Sequence, residues 1–200
     1  MFLESEKILK LSRRNFLLSI IAVPSAFLGS TFTKNALKAT PAIPDDDETP
    51  SATEGPFYTP NSPYRTSFIE TGIEGTKIIL SGLVLSMKGK PLAKTLVDLW
   101  HCDNSGDYDN EGYKLRGHQF TDDEGKYQFE TIVPGLYPGR TRHYHVKIKA
   151  RSKSLLTTQL FFPNEPRNKN DYIFLPELLM DVKDTEEGKI ANFNFVLDAD

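Results

Sequence analysis

Between Ala52 and Asp200 no stretch carries an apolar stripe of helical period, and short segments of alternating character follow one another instead. Lys77–Ser86 reads as a strand that ends at the turn Gly89-Lys90-Pro91. In Thr95–His101, Leu96, Asp98 and Trp100 alternate with Thr95, Val97, Leu99 and His101, as in a strand with both faces occupied. Asp122-Asp123-Glu124-Gly125 reads as a hairpin turn feeding a strand at Tyr127–Thr131, and Val133-Pro134-Gly135 as the next turn. His143–Arg151, Thr157–Phe162 and Asn192–Leu197 complete the predicted strands, with one short helical turn at Pro176–Met180. Short strands separated by turn signals predict an all-β domain, an antiparallel β-sandwich of prealbumin or immunoglobulin type whose long loops carry the chemistry.

Candidate chemistry lies at the start of the His143 strand. Side chains two apart on a strand share a face, so His143 and His145 point the same way and both imidazoles can reach one metal ion. Two tyrosines stand near in sequence, Tyr108 in the Gly-Asp loop after the Trp100 strand and Tyr137 in a Pro-Gly turn before the histidines. Two histidines and a carboxylate are the usual set for ferrous iron. Phenols ionise at neutral pH only beside a strong Lewis acid, so two histidines and two tyrosines could close around ferric iron rather than zinc. His101 reads as structural, His118 as an exposed residue in a polar connection, and Trp100 and Cys102 as core. Lys147, Lys149 and Arg151 read as a solvated face.

The segments T-E-G-P-F-Y (Thr53–Tyr58), D-L-W-H-C-D-N-S-G-D-Y-D-N (Asp98–Asn110), P-G-L-Y-P-G-R-T-R-H-Y-H (Pro134–His145) and T-Q-L-F-F (Thr158–Phe162) together resemble the intradiol ring-cleavage dioxygenases, including the protocatechuate 3,4-dioxygenases. The resemblance implies one non-haem Fe(3+) per chain, held by Tyr108, Tyr137, His143 and His145. It implies that Tyr137 is the ligand that leaves when a catechol-type substrate chelates the iron. Arg140 would stabilise negative charge on the ring carbon that meets O2, Gln159 would hydrogen-bond near Arg140, and Thr53, Gly55 and Pro56 would line the substrate pocket with Arg140. The implied reaction splits the ring between the two hydroxyl-bearing carbons and gives a muconate-type diacid. Gly139 stands where the protocatechuate enzymes carry a tryptophan, which predicts a more open pocket. The strand pattern alone also resembles transthyretin-like accessory domains, which bind without catalysis; a metal-binding protein without turnover is a third possibility. Arg140 and Gln159 beside the tyrosines and the H-x-H pair favour the enzyme.

The N-terminus differs from the rest. Lys7, Lys10, Arg13 and Arg14 precede an apolar run at Phe16–Leu28 that is short and broken by Pro24. That is the layout of an export signal rather than a membrane span. Ser12-Arg13-Arg14-Asn15-Phe16-Leu17 resembles the twin-arginine signal, whose route carries folded proteins; an ordinary secretory signal is the alternative. Cleavage near Ala36–Ala39 divides the chain into a signal (residues 1–39), an acidic Pro-containing linker (40–52) and a domain (53–200). The protein is then expected outside a bacterial cytoplasm, periplasmic or extracellular, without a stable membrane span. Residues 1–39 hold six of the 24 basic and two of the 27 acidic side chains, so residues 40–200 carry 18 against 25, a net −7. Such a body does not suit nucleic acid. Cys102 is the single cysteine, so no intrachain disulfide forms. A homo-oligomer in which one chain completes another's pocket is compatible with this layout.

Overall fold

The computed structural model describes residues 47–151 and 155–199; the expected export signal and the expected linker up to residue 46 lie outside them. The described chain is almost entirely strand and turn: β1 (Lys77–Ser86), β2 (Leu96–Trp100), β3 (Arg116–Phe120), β4 (Lys126–Ile132), β5 (His143–Lys149), β6 (Leu156–Phe161), β7 (Asp181–Thr185), β8 (Gly188–Asn192) and β9 (Phe195–Leu197). Two 3-10 turns at Pro166–Lys169 and Pro176–Leu178 begin with proline, whose fixed φ suits a first helical position. Among the described residues no helix is long and apolar enough to cross a membrane.

The strands form two sheets, ordered β4-β1-β8-β7 with β9 also on β1, and β3-β2-β5-β6. Leu80, Phe129, Leu99, Val146, Leu160 and Phe195, drawn from both sheets, belong to one buried cluster. The all-β expectation holds. The wholly antiparallel expectation does not, because β1 pairs in parallel with β8 and with β9. Alternation tells which face a strand buries, but not which neighbour it takes or in what direction.

Three further expectations are corrected. The connection read as polar around His118 is strand β3, and His118 is half-buried, its Nδ1 donating to the Ser62 carbonyl at 2.8 Å. Lys147 is buried rather than solvated, pairs with Glu54 and lies over the Tyr58 ring. The strand expected at Asn192–Leu197 is divided between β8 and β9.

The second sheet positions the chemistry. Tyr144, Val146 and Ile148 of β5 join the core, so His143, His145 and Lys147 occupy the opposite face. Arg116, Trp100, His145 and Gln159 lie abreast across the four strands, and His118, Asp98, Lys147 and Thr157 form the next row on that face. The segment before β1 covers this face. Gln159 Nε2 donates to the Thr53 carbonyl at 2.8 Å, Lys147 pairs with Glu54, Arg116 donates to the Phe57 carbonyl, and the Tyr58 hydroxyl donates to Asp98 at 3.2 Å. Each strand of the sheet thus contributes one side chain that pins Thr53–Tyr58.

Candidate metal centre

Tyr108 stands between two carboxylate-capped turns. Asp103 Oδ1 accepts from the Ser105 and Asp107 amides at 2.8 and 3.0 Å, and Asp109 accepts from the Glu111, Gly112 and Lys114 amides at 3.1, 2.9 and 2.9 Å. Such Asx turns fix a loop without regular pairing. They carry the Tyr108 hydroxyl to 3.1 Å from His145 Nε2 and 3.4 Å from His143 Nε2, while the two Nε2 atoms are 3.1 Å apart. Donors so spaced can all lie about 2 Å from one ion.

The protonation states support such an ion. His143 Nδ1 is 2.7 Å from the Thr141 carbonyl, which can only accept, so Nδ1 holds the proton and Nε2 presents a lone pair. Burial, then the nearby Arg140 charge, pulls the His143 pKa down to about 4; burial and then His143 hold His145 well below the usual histidine range. Both rings are therefore neutral at pH 7. Burial raises the Tyr108 phenol above its ordinary value, so it ionises only beside a strong Lewis acid. His145 Nδ1 is buried without a partner. Among the described residues no three His, Cys, Asp or Glu side chains group to hold a metal, so a site here depends on phenol. Two neutral imidazoles and a phenol needing a strong acid fit the ferric ion implied by the sequence resemblance.

Tyr137 lies beside this triangle rather than within it. Its ring centroid is 5.8 Å from that of Tyr108, and no hydrogen bond joins its hydroxyl to the three donors. Phe57 stacks on Tyr108 at 4.4 Å and 16° and meets Tyr137 edge-on at 5.4 Å. Trp100 stacks on His145 at 4.9 Å and 10°. Gly55 closes the far side: its φ is +69°, and a Cβ there would stand 3.4 Å from His145 Cε1. Thr53 Oγ1 accepts from the Gly55 amide at 3.3 Å, while Pro56 is exposed. Gly139 is exposed at φ +78°, and a Cβ there would meet nothing within 4 Å.

Arg140 and Gln159 do meet. Arg140 Nη2 donates to Gln159 Oε1 at 2.7 Å, and Arg140 Nε pairs with Asp171 Oδ2 at 2.8 Å. Burial pushes Asp171 upward, but hydrogen bonds from the Thr141 and Ile173 amides and from Arg140 outweigh it and hold the carboxyl below the usual range. The guanidinium is therefore fixed, with its charge close enough to act on His143. Sequence reasoning missed Asp171, Arg116 and Phe57 as site residues. Phe57 lies in T-E-G-P-F-Y without a titratable or polar group, Arg116 lies in a strand that has no apolar alternation, and nothing local marks Asp171. His101, read as structural, is buried and hydrogen-bonds at 2.7 Å to the Cys102 carbonyl and to Thr131 Oγ1.

Comparison with known proteins gives a consistent picture. A family profile described as dioxygenase matches residues 53–199. Catechol 1,2-dioxygenase of Candida albicans is 30% identical over 156 residues, 64% of this chain and 52% of that protein. The protocatechuate 3,4-dioxygenase beta chain of Burkholderia cepacia is 32% identical over 148 residues, 60% of this chain and 63% of that one. The chain thus spans between about half and two thirds of the length of these relatives. The solved dioxygenase domain of a dioxygenase carbohydrate-binding protein fusion from Streptomyces sp. SirexAA-E superimposes with a TM-score of 0.75 at 49% identity, covering 77% of this chain and 100% of that domain. With the profile extending over nearly all of the described domain, this chain belongs to the dioxygenase family.

Proposed function

We propose that this chain is an exported, non-haem iron(III)-dependent intradiol dioxygenase built on a β-sandwich. It would cleave catechol-type aromatics with O2, between the two hydroxyl-bearing carbons, to muconate-type diacids. The observation that carries the reading is the convergence of the Tyr108 hydroxyl and the two Nε2 atoms within 3.1–3.4 Å, beside an arginine locked by Gln159 and Asp171. A storage site has no need of a fixed cation there. Tyr108, Tyr137, His143 and His145 would hold one ion per chain. When bound, ferric iron supplies the Lewis acidity that activates a chelating catecholate toward dioxygen, the substrate itself providing the electrons.

The chain's own groups account for the remaining tasks. Tyr137, half-buried and without a hydrogen bond to the other three donors, would be the ligand that gives way to the substrate, its phenolic oxygen then taking a substrate proton. Arg140 would place a preorganised positive charge where carbanion character develops on the ring. Thr53, Gly55 and Pro56 would border the substrate, and Phe57 and Trp100 keep water from Tyr108 and His145. Location outside the cytoplasm and assembly into a homo-oligomer belong to the same proposal.

Iron content and visible absorption of the purified protein, before and after anaerobic addition of catechol, test it. About one iron per chain and a phenolate-to-iron band that shifts with catechol is the expected result, with oxygen uptake once air is admitted. A protein that remains colourless after ferric reconstitution sinks the proposal and brings the non-catalytic binding module forward.

A further inference from the structure

We propose that Arg116 is a positioning residue for Tyr108, gripping both the backbone from which the phenol hangs and the ring on which it rests. The inference rests on the metal-centre reading above. Arg116 lies on β3 in the same row as Trp100, His145 and Gln159. It is 1% exposed, and no ion pair joins it among the described residues. Its donors go to backbone carbonyls instead. Nε and Nη2 both reach the Asp109 carbonyl, at 3.1 and 2.6 Å, and Nη1 reaches the Phe57 carbonyl. Asp109 directly follows Tyr108, and the Phe57 ring is the one stacked on Tyr108.

A buried guanidinium without a carboxylate is costly, and an apolar side chain of similar volume would often stabilise a fold better. A fork of fixed donors, however, can do what an apolar residue cannot: tie two separate loops at set distances. The loops tied here are the Tyr108 loop and the Thr53–Tyr58 cover. The Arg116 carbonyl also accepts from Arg65 Nε at 2.9 Å, so the continuation of the cover is fastened to the same strand. A Tyr108 ring free to swing would leave the two imidazoles as the only close pair of donors.

The test uses R116K and R116Q in the full chain, each alone and combined with Y108F. The readings are the phenolate-to-ferric absorption band, the rate of iron loss to a chelator, kcat and KM, and the thermal midpoint of the metal-free protein. Outer residues that orient metal ligands are worth about 10–100-fold in metal affinity. We expect iron loss at least about tenfold faster, a displaced or weakened band, and kcat falling while KM changes little. In the Y108F background R116Q should add little, because the effect passes through the missing phenol. F57L approaches the same grip from the ring side and keeps the test open where R116Q does not fold; it should move the band in the same way. An unchanged band and release rate in R116K and F57L, or effects of R116Q and Y108F that simply add, overturns the inference while the metal reading stands. A wild-type protein with no phenolate band removes both.

Discussion

Each donor of the site is set by a neighbour of a different kind: a carbonyl fixes the His143 tautomer, an indole lies flat on His145, and a phenyl ring supports Tyr108. Tyr137 has no comparable restraint on its hydroxyl. In Y137F, iron should therefore still bind while the visible band shifts and turnover slows; unchanged turnover refutes its role as the departing ligand. R140A should retain iron but lose about 10²–10³ in kcat, the usual cost of removing a preorganised charge-stabilising donor. Loss of the metal instead would make Arg140 structural. The H-x-H pair is legible from its spacing, and the order of the two tyrosines, Arg140 and the H-x-H carries the family resemblance that in turn implies a role for Gln159. Asp171 could not be, since it meets Arg140 across a sequence separation of 31 residues with no local signal on either side. Arg116 escaped for the same reason, reaching Phe57 from 59 residues away.

Strands with an apolar face were legible; those without one were not. β1 runs over the residues expected, since Ile78, Leu80 and Val84 alternate into the core. In β3, R-G-H-Q-F puts Arg and His on the face of the candidate site and Gly and Gln on the other, so no apolar period marks it. β7 is mostly exposed and polar, and β8 buries only Ala191. The break between β8 and β9 has a specific cause: Asn194 Oδ1 accepts the Leu83 amide at 2.9 Å, so a side chain stands in for the ladder. The chain there crosses so close that a Cβ on Gly82 would lie 1.7 Å from the Phe193 carbonyl oxygen. N194A should cost about 1–3 kcal/mol by leaving that amide unpaired, and G82A about 3 kcal/mol by forcing the strands apart. Denaturant unfolding of the metal-free protein reads both; midpoints equal to wild type would mean that β8 and β9 contribute little to β1.

At the scale of the whole molecule, the second sheet packs one face on the core and has the Arg116–Gln159 and Asp98–Lys147 rows of the other under the Thr53–Tyr58 cover, with Phe120 and Lys149 exposed at its end. Burial of this kind leaves neutral histidine inside and makes stability depend on pH. His101 shows it away from the metal donors: it is buried against Tyr144 and Phe68, and desolvation brings its pKa down from 6.5 to about 4 despite the hydrogen bond to the Cys102 carbonyl. Above the unfolded value both states are neutral, and its contribution is fully present. As pH falls from about 6.5 toward about 4, the unfolded chain takes up a proton that the folded chain refuses, and stability declines by about 3 kcal/mol in total. Below about 4 both states are charged and the contribution stays lost. H101Q should be less stable than wild type at pH 7, yet show a flatter decline between pH 6.5 and 4. His143 and His145 add to the slope in both proteins, so metal-free wild type and H101Q must be compared under the same conditions and the His101 share taken as their difference. Parallel stability curves across that window would mean that His101 titrates as an ordinary histidine, and that the second sheet is wetter than its burial implies.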